Sequence, residues 1–110
     1  MGLFDEEEED EEETEREGVP SPLSIARSYL ALAIQIGAPA YNLGDHRGCF
    51  EVYACVARLL LGTLRGELAE TPKSLLRDAL ERSAIVPDSS EQAWIMRRTF
   101  DSILDTSEEN

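Results

Sequence analysis

The 110-residue sequence predicts an all-α protein, a small bundle of about four helices behind a disordered, acidic N-terminal tail. Three observations lead to this prediction. Apolar residues recur at helical spacing over four stretches, proline or glycine separates these stretches, and no long β-branched run alternates as a strand requires. The chain thereby divides into a tail over residues 1–20, a helical domain over residues 21–106 and a disordered C-terminus over residues 107–110.

The tail is defined by its charge. Residues 5–17 hold eleven carboxylates and one arginine, so a local charge of −10 accounts for most of the net charge of −13. With so few apolar side chains, this stretch cannot offset the entropy lost on folding. We expect it to keep the protein in solution, to attract a basic partner, or to compete with nucleic acid for a nucleic-acid-binding protein. The continuous part of this acidic arm is Asp5, Glu6, Glu7, Glu8, Glu9, Asp10, Glu11, Glu12 and Glu13.

The first helix is predicted from Pro22 to about Ile36. Ser21 is suited to its N-cap, and proline is favoured at the first helical position. Because apolar residues cover most sides of this helix, we expect it at the centre of the fold. Gly37 and Pro39 are expected to end or kink it.

The second helix is predicted from about His46 to Leu64. Asn42 and Gly44 indicate a turn before it, and Asp45 is placed to cap it. Gly66 is expected to end the helix. The predicted inner face consists of Cys49, Val52, Tyr53, Val56, Leu59, Leu60 and Thr63.

Two further helices complete the predicted bundle. Thr71 and Pro72 suit the N-cap and first position of the third helix. Ser89 and Gln92 have the spacing of a capping box for the fourth, which runs to about Asp105. The residues predicted to face inward are Leu75, Leu76, Ala79 and Leu80 on the third helix and Ala93, Met96, Phe100, Ile103 and Leu104 on the fourth.

The sequence contains few residues suited to catalysis or metal binding. His46 is the only histidine. Together with Asp45 and Cys49 it gives three metal-ligand types, but their spacing matches no standard zinc pattern. We expect Asp45 to cap the helix, His46 to be exposed and Cys49 to be packed inside. The sequence also has no nucleophile elbow and no phosphate-binding loop, so we predict no enzyme activity, no metal and no cofactor.

The two cysteines, Cys49 and Cys55, bear on redox chemistry and location. Within one helix they lie too far apart for a disulfide, and free thiols indicate a reducing, cytoplasmic compartment. Cys49 lies near a helix N-terminus, where the dipole lowers a thiol pKa, so it is a possible reactive thiol; a packed, inert thiol is the alternative. The uncharged run over residues 28–44 is short for a membrane span, and no membrane association is expected.

Arginine and tryptophan are the candidate partner-binding residues. Arg97 and Arg98 adjoin Trp94 on the fourth helix, and Arg58 and Arg65 lie on the second. Both residue types are favoured in interface hot spots, so together they predict a patch that binds an anion or a peptide. Alternatively, Trp94 packs at the core edge and the arginines are solvated, pair with acidic neighbours or bind the tail of the same molecule. No direct nucleic acid binding is expected, because the net charge is negative and phosphate contact needs clustered lysine and arginine.

A further indication comes from residues 37–60, which read GAPAYNLGDHRGCFEVYACVARLL. Gly37, the Gly44-Asp45 turn, Cys49 and Tyr53 stand at the spacings of the helical hairpin in tetratricopeptide repeats, which this stretch resembles. The chain has no second copy of the pattern, so at most one hairpin is expected. The resemblance implies protein or peptide binding.

Taken together, these features predict a non-enzymatic helical interaction module, an adaptor or regulatory subunit whose partner is another protein with a basic surface. Its binding surface would come from the outer faces of the second and fourth helices. One alternative is a helical protein that binds a small molecule or cofactor beside its first helix. A second is a redox-responsive regulator acting through Cys49. The oligomeric state stays open, although an exposed Trp94 or Phe50 would indicate self-association.

Overall fold

A computed structural model describes residues 20–64 and 67–105, which form four helices and no strand. The helices are α1 (Pro22–Asn42), α2 (His46–Thr63), α3 (Glu70–Ala84) and α4 (Ser89–Asp105). The predicted all-α class and helix number are therefore confirmed. The acidic arm, Arg65, Gly66 and the C-terminal residues 106–110 lie outside the described residues. No helix in the described ranges is long and apolar enough to cross a membrane.

The centre of the bundle is formed by α2 and α4. α1 packs mainly on α2 and less on α4, while α3 packs mainly on α4. The prediction that the first helix occupies the centre is wrong. Its buried residues form one narrow stripe of mostly small side chains, and large apolar side chains beside that stripe remain exposed. The stripe consists of Ala26, Leu30, Ala33 and Gly37.

The start of α1 is as predicted, whereas its end is not. The Ser21 hydroxyl accepts a hydrogen bond from the Ser24 N–H at 3.0 Å and caps the helix. The helix does not end near Ile36 but continues to Asn42, with Pro39 inside it. Pro39 is exposed and lies in the last turn, where the missing N–H removes one helical hydrogen bond. Beyond Pro39, Tyr41 in the same turn packs on His46 of α2 and hydrogen-bonds with Ser90 and Trp94 of α4, and these contacts favour continuation of the helix.

The turn between α1 and α2 follows the prediction. Asn42 is the last residue of α1, and Gly44 adopts a φ of +94°, a conformation that glycine tolerates best. The Asp45 carboxylate accepts a hydrogen bond from the Gly48 N–H at 2.9 Å, which caps α2. Local side-chain chemistry therefore sets this turn.

The inner face of α2 is only partly as predicted. Cys49, Tyr53 and Leu60 are buried, but Leu59 and Thr63 are exposed. Because α2 contacts α1, α3 and α4, a different arc of the helix is covered, and this arc includes the small residues Ala54 and Ala57. The buried residues of α2 are Cys49, Phe50, Tyr53, Ala54, Ala57 and Leu60, while Val52 and Val56 are half-buried.

The capping of α3 and α4 differs from the prediction. α3 begins at Glu70, with Ala69 at the N-cap and no capping side chain, so Thr71 is inside the first turn. The cap of α4 is Asp88, whose carboxylate accepts from the Glu91 N–H at 3.1 Å. Ser89 is therefore already helical, and the predicted capping box does not form.

Gln92 has a different role from the predicted one. Its side-chain amide donates to the Ser83 carbonyl at 2.9 Å. Ser83 lies in the last turn of α3, where backbone carbonyls have no helical partner. Gln92 thus ties the end of α3 to the start of α4. This bond joins two helices across nine positions, whereas a capping box would lie within the first turn of α4.

Tyr53 is the point where α1, α2 and α4 meet. Its ring is only 2% exposed and packs on Phe100 of α4 with the ring centroids 5.2 Å apart. Gly37 of α1 also lies against this ring, and a Cβ added to it would stand 2.5 Å from Tyr53 Cε1. Glycine is therefore required for α1 to approach α2 this closely.

Replacing Gly37 with alanine tests this contact. Although alanine favours a helix, the Tyr53 ring is held by Phe100 and cannot move away freely. We expect Gly37→Ala to lower the free energy of unfolding by about 1–3 kcal/mol, the usual effect of overpacking, measured by urea denaturation.

Gly62 offers a matched control, because it is also helical and nothing lies within 4 Å of a Cβ added there. Gly62→Ala should raise the free energy of unfolding by about 0.5–1 kcal/mol. Equal effects of the two substitutions would contradict the close approach at Gly37.

Candidate functional site

A cleft opens where the end of α1, the start of α2 and the first half of α4 meet. Its volume is about 180 Å³. Ala38 and Ala93 give it small side chains, and larger residues form its walls and floor. These are Tyr41, Asn42, Cys49, Tyr53, Trp94 and Arg97.

Tyr41 holds one wall of the cleft in place. Its hydroxyl lies 2.6 Å from the Ser90 hydroxyl and accepts a hydrogen bond from Trp94 Nε1 at 2.9 Å. The Trp94 ring meets the Tyr41 ring edge-on at 5.8 Å, and His46 lies against Tyr41 with the ring centroids 4.2 Å apart. Trp94 is nevertheless 43% exposed, so a fixed aromatic surface faces solvent.

Two arginines flank this aromatic wall. The Arg98 guanidinium carbon lies 6.0 Å from the centre of the Trp94 ring, at the distance of a cation–π contact. Arg97 Nε donates to Asp101 Oδ1 at 3.2 Å from a partly buried position. Arg97 therefore lines the cleft with a fixed orientation, while Arg98 contacts the Trp94 ring and does not line the cleft itself.

The floor of the cleft is formed by Cys49 and Tyr53, which lie side by side and are almost completely buried. Burial raises the pKa of the Cys49 thiol, and the smaller effects of Tyr53 and Arg97 only partly oppose this. Burial, together with the contact with Cys49, raises the pKa of Tyr53 to about 12. Both groups are therefore protonated near neutral pH. A protonated thiol is a poor nucleophile, which argues against a reactive Cys49.

The structure brings together only part of the predicted arginine patch. Trp94, Arg97 and Arg98 share one side of α4. Arg58 is exposed and lies about 140° around α2 from Tyr53, so it faces away from the cleft. Arg65 lies outside the described residues.

The first turn of α2 also has a different arrangement from the predicted one. His46 is half-buried against Tyr41 and is not freely exposed. Asp45 caps the helix and Cys49 is buried, as expected. Within the described part of the chain, no group of three histidine, cysteine or acidic residues could hold a metal ion. Cys49 and Cys55 are both free thiols.

Tyr41 and Ser90 are the site residues that the sequence did not single out. Tyr41 follows Pro39, where the helix was expected to have ended, and Ser90 lies between Ser89 and Gln92, the two residues that were assigned to a capping box. If α1 is extended to Asn42, helical spacing places Tyr41 on the same face as Ile34 and Ala38. This helical spacing is the sequence feature from which the position of Tyr41 could have been predicted.

Comparison of the chain with known protein families, with curated proteins and with solved structures found no match. The resemblance of residues 37–60 to a tetratricopeptide hairpin therefore stays a prediction. In the structure, that stretch contains the end of α1, a short turn and most of α2, and Gly37 contacts Tyr53.

The Tyr41 hydroxyl should contribute both to stability and to the orientation of Trp94. We expect Tyr41→Phe to lower the free energy of unfolding by about 1 kcal/mol, because it removes the hydroxyl shared by Ser90 and Trp94. The fluorescence of Trp94, the only tryptophan, should change at the same time.

Tyr29→Phe is the matched control, since Tyr29 is also on α1 but is exposed and lies away from the cleft. It should leave both stability and fluorescence nearly unchanged. If Tyr41→Phe behaves as the control does, the hydrogen bonds of Tyr41 do not hold Trp94.

Proposed function

We propose that this chain is a non-enzymatic interaction module that binds a segment of another protein in the cleft between α1, α2 and α4. The observation that carries the proposal is the half-exposed Trp94 ring, fixed by Tyr41 and flanked by Arg98. A fixed aromatic side chain loses little conformational entropy on binding, and tryptophan and arginine dominate interface hot spots.

The size and lining of the cleft indicate what the segment contains. Pockets for drug-sized ligands usually have volumes of about 300–1,000 Å³, whereas this cleft has about 180 Å³. It suits one apolar side chain of a peptide better than a cofactor. Arg97 and Arg98 then favour a carboxylate beside that side chain, either from an acidic residue or from a chain terminus.

The chemistry of the floor supports binding in preference to catalysis. Cys49 and Tyr53 are buried and protonated, and the ring of His46 packs against Tyr41 outside the cleft lining. None of these three residues offers an activated nucleophile paired with a base. The same burial weighs against a redox-responsive regulator acting through Cys49.

The acidic arm adds an electrostatic contribution to the proposed binding. A local charge of −10 attracts a basic surface over distance and accelerates association, and it disfavours direct contact with nucleic acid. The proposed partner therefore combines an apolar anchor and a carboxylate for the cleft with a basic region for the arm. Such a protein acts as an adaptor or regulatory subunit, and its two free thiols agree with a reducing, cytoplasmic location.

Selection from a displayed library of random peptides on the immobilised full chain tests the cleft. Selected peptides should share an apolar residue next to a carboxylate. Their dissociation constants should rise at least about tenfold with Trp94→Ala and several-fold with Arg98→Ala, because both substitutions remove hot-spot contacts.

Arg58→Ala is the matched control, because Arg58 is an exposed arginine on the far side of α2. It should leave peptide affinity unchanged. Recovery of no peptide above background, or of peptides indifferent to Trp94→Ala, would refute cleft binding.

The contribution of the arm can be measured with the same peptides, extended by four lysines or by four serines. Deleting residues 1–17 should slow association of the lysine-extended peptide by about tenfold in 50 mM salt, because long-range attraction is lost. The effect should disappear in 1 M salt, where charges are screened within about 3 Å. Slowing of the serine-extended peptide to the same degree would show that the arm does not act through charge.

A further inference from the structure

A second surface, separate from the cleft, lies on the outer side of the α1–α2 pair. On α1 it consists of Ile25, Tyr29, Leu32 and Ile36, and on α2 of Val56 and Leu59; we call these six residues the outer face. Four of them, Tyr29, Leu32, Ile36 and Leu59, are 43% to 53% exposed. A shallow groove of about 130 Å³ runs between the two helices where Tyr29 approaches Leu59.

The spacing of the outer face indicates a helical partner. The α1 residues follow one another at intervals of four, three and four positions, which is the repeat that coiled-coil helices use to pack against a neighbour. The buried stripe of α1 has the same intervals one position later and is already covered by the bundle. α1 therefore has two apolar seams. The first is buried in the bundle, whereas in the second only Ile25 packs against the core, and Tyr29, Leu32 and Ile36 are exposed.

The absence of charge on the outer face of α1 favours a second copy of the chain as its partner. The single charged residue of α1 is Arg27, and it turns towards α4, where it donates to the carbonyls of Ile103 and Leu104. Residues 28–44 carry no charge at all. In a two-fold interface each residue near the axis meets its own copy, so a charge there would face a like charge. The outer face of α1 carries no charge and meets this requirement.

The exposed area fits a weak dimer. The exposed fractions above leave roughly 400 Å² of these residues open on each chain, within the range of about 300–600 Å² for the largest apolar patch on a monomer, which is often functional. With the surrounding polar rim, two such faces bury on the order of 1,000 Å², the lower end for specific interfaces.

From the spacing, charge and area of this face, we infer that the chain forms a two-fold symmetric dimer in which the outer faces of two copies pack together. The two α1 helices run antiparallel and cross near Leu32. A parallel arrangement would bring together the two starts of α1, each of which follows a sequence segment with a local charge of −10. The antiparallel one separates the starts of the α1 helices by about 30 Å, well beyond the screening length of about 8 Å at physiological salt. This dimer is independent of the proposed cleft binding.

Sedimentation equilibrium of the full chain across 1–500 µM tests the dimer. The average mass should rise with concentration from 12.2 kDa towards twice that value. Leu32→Glu and Ile36→Glu each place a charge on the outer face and should weaken association at least tenfold. Circular dichroism identifies a variant that loses helicity, and Leu32→Ser then serves as the milder replacement.

Two controls separate this surface from others. Ile85→Glu changes an apolar residue that is 82% exposed beyond the end of α3, and it should leave the dimer intact. Trp94→Ala should also leave it intact, so loss of cleft binding and loss of the dimer are distinguishable. The dimer is refuted if the chain stays monomeric over the whole concentration range. That holds also if this face instead binds a helix of another protein. It is refuted as well if Trp94→Ala or Ile85→Glu dissociates the dimer as strongly as Leu32→Glu.

Discussion

The close contact between Gly37 and the ring of Tyr53 is the constraint on which the rest of this structure depends. The missing side chain lets α1 approach α2 at this point, and Tyr53 in turn packs on Phe100 of α4. Three helices are therefore fixed relative to one another by one buried ring. One turn beyond Gly37, Tyr41 is carried to Trp94, where it forms the wall of the cleft. With Gly37 against α2, Leu32 and Ile36 on other sides of α1 stay exposed.

Features set by neighbours in sequence were predictable, and features set by distant packing were not. The caps at Ser21 and Asp45 depend on a side chain and an N–H three residues later, so the sequence contains all the information for them. The position where α1 ends, in contrast, is not determined by residues close to it in sequence. Pro39 removes one local hydrogen bond of the helix. Tyr41 beyond it, however, forms hydrogen bonds with Ser90 and Trp94, which lie 49 and 53 positions further along the chain. The inner face of α2 was misassigned for a similar reason, because it depends on which helices lie beside α2.

The candidate site shows the same division. Trp94, Arg97 and Arg98 were recognisable as a group because they are close together on one helix. Arg58 was grouped with them on residue type alone, and only the arrangement of the helices shows that it faces away. For Cys49, position at a helix N-terminus suggests a lowered pKa, whereas burial, the larger effect here, raises it. Burial is a property of the assembled bundle.

Nuclear Overhauser effects between the Gly37 Hα protons and the Tyr53 ring protons test the central contact most directly. The structure predicts strong cross-peaks between these groups, together with cross-peaks from the Tyr53 ring to the ring of Phe100. Cross-peaks from Gly37 to other side chains of α2, with none to the Tyr53 ring, would mean that α1 packs in a different register. In that register, neither the cleft nor the outer face would form.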